Sequence, residues 1–170
     1  HLDGVVVSHD IVATAKDVVP RMKAEGADLI VALAHTGIDP STEGMMRENA
    51  ALALAGVAGI DAIIAGHQHL RLPGKDFAAV AGVDADAGLV HGLPCVMPGF
   101  GGSEVGAIDL ALKREGSRWT VEGATARLHP ISRRSSDGAI PLVPSDKAVL
   151  DAASAAHEGT LAYIPVSYTH

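Results

Sequence analysis

The chain has 170 residues, 48% of them hydrophobic and only 3% aromatic, and a formal net charge of −7. These figures exclude a disordered chain and call for a globular core of Val, Ile, Leu and Ala, which suits a parallel sheet covered by helices. They also exclude a nucleic-acid polymer or an anionic membrane as the main partner, because Arg133-Arg134 is too short a basic cluster to offset a run of phosphates. The single cysteine, Cys95, permits no internal disulfide and lies in an apolar run where a small core residue is expected. The longest apolar region, residues 50–66, is interrupted by Asp61 and three glycines and falls short of a membrane span. With no initiating Met and no signal-peptide pattern, the sequence reads as an internal piece of a longer protein that starts at the edge of a strand.

In chain order, Gly4-Val-Val-Val-Ser8 is expected to be a short strand, and Asp10 to cap a helix starting at Ile11. Ile11, Ala15, Val18, Val19 and Met22 recur at helical spacing, with Lys16, Asp17, Arg21, Lys23 and Glu25 on the outer face and Gly26 as terminator. Residues 29–34 form an apolar strand that hands over to His35-Thr-Gly and a loop of turn formers. A helix over residues 45–57 follows, then the strand of residues 60–65, which ends in Gly66-His-Gln-His69. This β-α-β-α-β order, with right-handed crossovers, calls for a parallel sheet. Residues 78–92 show no clear period and read as an excursion, and residues 94–98 form another buried strand. Alternation through residues 105–113 and 119–128 around Glu115-Gly-Ser indicates an antiparallel hairpin. Residues 132–145 are expected to be a polar linker and residues 148–163 a helix.

Two parallel-type strands thus deliver histidines at the same carboxyl edge, the place where functional groups collect in open α/β sheets. Three imidazoles on one rim suggest metal. His67 and His69, one residue apart, do not easily serve a single ion with ideal geometry, whereas two ions about 3.5–4 Å apart would accommodate both. The other ligands should be Asp or Asn, and none is evident at that rim. Asp61 and the carbonyls of residues 99–102 are the candidates for holding the imidazole tautomers. His9, His91, His129 and His157 read as capping, loop, hairpin-end and helix residues without a ligand role. Asp39 and Glu43 read as loop and helix-start residues. The glycines at 99, 101, 102 and 106 do not make a dinucleotide fingerprint, because Glu104 takes the third glycine's place and no helix follows. Ser103 lacks the Gly-x-Ser-x-Gly elbow of serine hydrolases.

Residues 27–37 (ADLIVALAHTG), Glu48-Asn49-Ala50, the strand entering Gly66-His-Gln-His69, Pro73-Gly74, Met97-Pro-Gly-Phe-Gly-Gly102 and residues 106–110 (GAIDL) together resemble calcineurin-like metallophosphoesterases. The resemblance is strongest to the bacterial 2′,3′-cyclic-nucleotide 2′-phosphodiesterase/3′-nucleotidase branch of the 5′-nucleotidase family and covers roughly residues 1–163. It implies an α/β fold in which a β-sandwich flanked by helices carries a dimetal centre at the strand ends, only the C-terminal half of that domain lying in this chain. Residues 1–131 would be domain, 132–164 an interdomain linker and helix, and 165–170 a tail foreign to the family, so that His170 has no role.

The same resemblance makes His35 and His67 ligands of one divalent cation and His69 a ligand of the other, with Zn, Mn, Co or Fe as candidate metals. Asn49 matches a position on the substrate side. The family's Asp-x-His, Gly-Asp and Asn-His motifs, which supply the bridging aspartate and the general acid, have no counterpart here, nor does its C-terminal nucleotide-binding domain, so the chain alone is expected to be inactive. The implied reaction is attack of a metal-bridging hydroxide on phosphorus, first opening the cyclic phosphate of a nucleotide and then removing the 3′-phosphate. The implied location is the periplasm or cell surface. Gly101 stands where relatives carry a large aromatic. A 5′-nucleotidase, UDP-sugar hydrolase or sulfur-ester hydrolase of the same superfamily remains an alternative, as does a noncatalytic α/β module whose histidines are structural and which binds a protein partner.

Overall fold

The computed structural model describes residues 4–40 and 46–167, the last four of these through the backbone alone. The expected strand edge at the first residues, Glu43, the start of the second helix at residue 45, and His170 lie outside the described residues. Asp10 begins helix α1, Ile11–Ala24, as the sequence requires: one carboxylate oxygen accepts the Ala13 N–H at 2.7 Å, and the other accepts the Met46 N–H at 2.7 Å. These two amides hold the Asp10 carboxyl below the usual carboxylate range. Gly26, at φ 108°, supplies the left-handed residue after the helix.

Strands β1, Val31–Ala34, and β2, Ala62–Ala65, pair in parallel, and β2 pairs in parallel with β6, Leu93–Pro98. The α/β class expected from composition and element order is therefore the one observed, with the strands running through a core of Ile63, Cys95, Val96 and Met97. Burial of Cys95 pushes its thiol up to about 12, in keeping with an inert core residue.

Several expectations are corrected. Residues 6–10 are irregular, and Val5, Val6 and Val7 are all exposed: alternating or β-branched residues make a strand only where a neighbour completes the ladder. The helix foreseen over residues 45–57 shrinks to α2, Ala51–Leu54. Its first amides bond the end of β1 rather than a preceding turn, Ala51 N–H to the Gly37 carbonyl at 2.9 Å, and its end tightens through i→i+3 bonds at Gly56 and Val57.

The stretch of residues 70–92, which contains the excursion expected over residues 78–92, is organised. β3, Arg71–Leu72, and β5, Leu89–Val90, pair antiparallel with successive halves of β6, and β4, Val83–Asp84, adds beyond β5. A 3₁₀ turn at Lys75–Phe77 buries Phe77. The result is a mixed six-stranded sheet in the order β1-β2-β6-β5-β4, with β3 also on β6. The expected hairpin is present and longer, β7 Glu104–Glu115 and β8 Arg118–Pro130, turned by Gly116 at φ 65° with Ser117. It lies against β6: a Cβ on Gly106 would sit 3.0 Å from Val96.

The chain divides between Ile131 and Ser132 into two compact units. In the second, residues expected to be a linker form a small hairpin, β9 Ser132–Ser135 with β10 Gly138–Pro141, and helix α3, Lys147–Ser167, starts on the Asp146 carboxylate, which accepts the Ala148 N–H at 2.8 Å. Among the described residues no helix is long and apolar enough to cross a membrane.

Candidate metal-binding site

The register of β1 and β2 sets Ala34 beside Ala65, so the residues that follow, His35 and Gly66, emerge at the same rim. The Gly66 N–H donates to the Thr36 carbonyl at 3.2 Å, which ties the two strand ends together. Beyond Gly66 the backbone coils tightly. His67 and His69 both take left-handed conformations, φ 73° and 60°, a region that histidine visits more readily than most residues. Their neighbour Gln68 ties the turn to the other strand by accepting the Ile38 N–H at 2.8 Å.

These constraints bring His35 and His67 together, ring centroids 5.5 Å apart and edge-to-face. His69 is treated differently: its ring stacks on Phe100 at 5.1 Å and 23°. Gly101, with φ 62°, does not supply the aromatic wall, but the preceding residue does. Asn49 lies half-buried against Gly37, and its side-chain oxygen has no hydrogen-bond partner among the described residues.

Two residues that sequence reasoning did not single out organise this rim. Thr36, 1% exposed, donates its hydroxyl to the Glu48 carbonyl at 2.6 Å and accepts the Ala50 N–H at 2.7 Å. Glu48 places Oε1 2.7 Å from His67 Nε2. Both stand in motifs of the family resemblance without a role of their own, and the physical signal was the Thr within His-Thr-Gly, a polar residue at the end of an apolar strand that needs partners. Asp61, the expected tautomer partner, sits at the opposite end of β2, where it accepts the Ile30 N–H at 2.8 Å and pairs with Lys23 at 3.0 Å. Thr36→Val is expected to lower stability by about 1–3 kcal/mol, since the shape is kept while the Ala50 amide is left unpaired in the core. A lower urea midpoint with an unchanged slope would show it.

Imidazole nitrogens suit Zn, Mn, Co and Fe, so the chemistry of the donor set is appropriate for a divalent cation. The number of donors is not: among the described residues no group of three or more His, Cys, Asp or Glu could hold an ion. The residues present fit a metal as part of a donor set.

No family model matches the chain. It is 37% identical over 164 residues to the 2′,3′-cyclic-nucleotide 2′-phosphodiesterase/3′-nucleotidase of Salmonella typhimurium, and 39% identical over 166 residues to the protein of that name from Haemophilus influenzae. Each alignment covers 96% of this chain and 25% of the relative. It is 38% identical over 172 residues to the trifunctional nucleotide phosphoesterase protein YfkN of Bacillus subtilis, covering 99% of this chain and 11% of that one. The chain thus spans a quarter or less of the length of these relatives. The crystal structure of the calcineurin-like phosphoesterase YfkN from Bacillus subtilis superposes with a TM-score of 0.84 at 38% identity, over 96% of this chain and 47% of that one. Along nearly all of its length the chain is similar in sequence and in fold to one part of a calcineurin-like phosphoesterase.

Proposed function

We propose that this chain forms part of the dimetal centre of a phosphoesterase that hydrolyses 2′,3′-cyclic nucleotides and 3′-nucleotides. The observation that carries the proposal is the convergence of His35 and His67 at adjacent strand ends, in a chain 37–39% identical to proteins named for that chemistry. His35 and His67 would hold one divalent cation and His69 a neighbouring one. Such cations, when bound, supply Lewis-acid stabilisation of phosphoryl oxygens and lower the pKa of water toward neutrality.

This chain's own residues then have defined tasks. His35 and His67 present ring nitrogens at a turn that Gln68 and the Gly66 N–H tie to the residues following β1. Phe100 fixes the plane of His69 by stacking. Asn49, whose side-chain oxygen is unpartnered among the described residues, would face the phosphate side. The remaining ligands and the general acid belong, on this reading, to sequence beyond these 170 residues, as does the domain that grips the nucleotide. Residues 1–131 would then be the domain's C-terminal part, residues 132–164 its interdomain linker and residues 165–170 an extraneous tail. The same reading puts the protein in the periplasm or at the cell surface.

The test is to prepare the full-length protein metal-free and assay 2′,3′-cyclic AMP, 3′-AMP and 5′-AMP with Mn, Co or Zn restored. Turnover of the first two substrates only after metal is restored is the expected result. Equal turnover with a chelator present would refute the reading.

A further inference from the structure

We propose that Glu48 is a positioning residue for His67, fixing which of its two ring nitrogens is offered to a cation; this rests on reading His67 as a metal ligand. An ionised carboxylate can only accept, so the 2.7 Å contact between Glu48 Oε1 and His67 Nε2 requires the proton to be on Nε2. The lone pair of the neutral ring is then on Nδ1. A ring without such a partner interconverts between tautomers and loses part of its affinity to the unproductive one.

The position of Glu48 is built into the fold. Thr36, buried between His35 and Gly37, clamps the backbone on either side of Asn49 through the Glu48 carbonyl and the Ala50 N–H, and the Ala51 N–H bonds the Gly37 carbonyl at 2.9 Å. The residues that end β1 therefore place one histidine directly and, through these bonds, the carboxylate that orients the other. From the opposite side the Gln68 bond to Ile38 and the left-handed backbone at His67 fix the base of the ring. The Glu48 side chain is 74% exposed, so its pairing with His67 contributes little to folding. Orientation is what it supplies.

The experiment uses the full-length protein labelled with ¹⁵N-histidine, its long-range ¹H–¹⁵N spectrum recorded metal-free at pH 8, and Zn²⁺ affinity measured by competition with a chelator. In the wild type His67 should be protonated at Nε2, with an unprotonated Nδ1. Glu48→Ala should give mixed tautomers and a 10- to 100-fold loss of Zn²⁺ affinity at an unchanged melting temperature. Glu48→Gln, whose amide oxygen also accepts, should restore the tautomer and most of the affinity. Unchanged tautomer and affinity in Glu48→Ala would overturn the proposal while leaving His67 a ligand. If His67→Ala itself bound Zn²⁺ as tightly as the wild type, the ligand reading would fail instead, whatever the tautomer result.

Discussion

In the full-length protein, His67→Ala is expected to reduce metal-dependent cleavage of 2′,3′-cyclic AMP by more than about 100-fold, beyond the 10- to 100-fold typical of losing an outer partner of a metal ligand. The reason is geometric as well as chemical. His67 is the ring that meets His35 from the neighbouring strand, so its removal leaves His35 without its partner imidazole. In the full-length protein the cation then loses one of the three or four protein ligands that such an ion takes. The substitution also replaces a histidine at φ 73° by alanine, which tolerates that backbone less well, so metal content should be measured alongside activity. His129→Ala, at an exposed end of β8, is the control and should leave turnover unchanged. Wild-type kinetics and metal content in His67→Ala would remove this residue from the centre.

The second large effect is on stability. Ile63 lies in the middle strand of the parallel set, fully buried, with Ala32 on one side and Cys95 on the other in register. Ile63→Ala should cost about 2–5 kcal/mol, and Ile63→Val about 0.5–1.5 kcal/mol, because rigid neighbours cannot close over the lost methyls. The small residues on either flank of this strand position, Ala32 and Cys95, make collapse harder, since they have no long side chain to swing into the void. Urea unfolding of the two variants should show midpoints falling in that order at constant slope. Equal midpoints for both would mean that the cavity is filled by relaxation.

The parts of this fold that were legible in the sequence are those governed by local rules. Asp10 caps the first helix because an acceptor sits where free amides begin, Gly116 turns the hairpin because its φ is positive, and His35 and His67 share a rim because two apolar runs end one residue before each motif. What escaped depends on partners distant in sequence. β3, β4 and β5 are two residues long, too short to have a period, and exist because β6 offers an edge to β3 and β5, and β5 one to β4. Val5 to Val7 have strand propensity and no such edge. The second helix looked long from composition, yet its amides are taken by Thr36 and Gly37. At the site, the Glu48 pairing spans 19 residues, and the stacking of His69 on Phe100 spans a whole sheet connection, so neither leaves a spacing to read.

The left-handed backbone at His67 and His69 also narrows how this turn can change chemistry over time. Histidine, asparagine and aspartate enter that region at modest cost, whereas β-branched and bulky side chains are strained there. Substitutions that preserve the coil of the turn therefore draw on nitrogen and hard oxygen donors. On the proposed reading, a cation held by this turn therefore meets nitrogen or hard oxygen donors rather than thiolates.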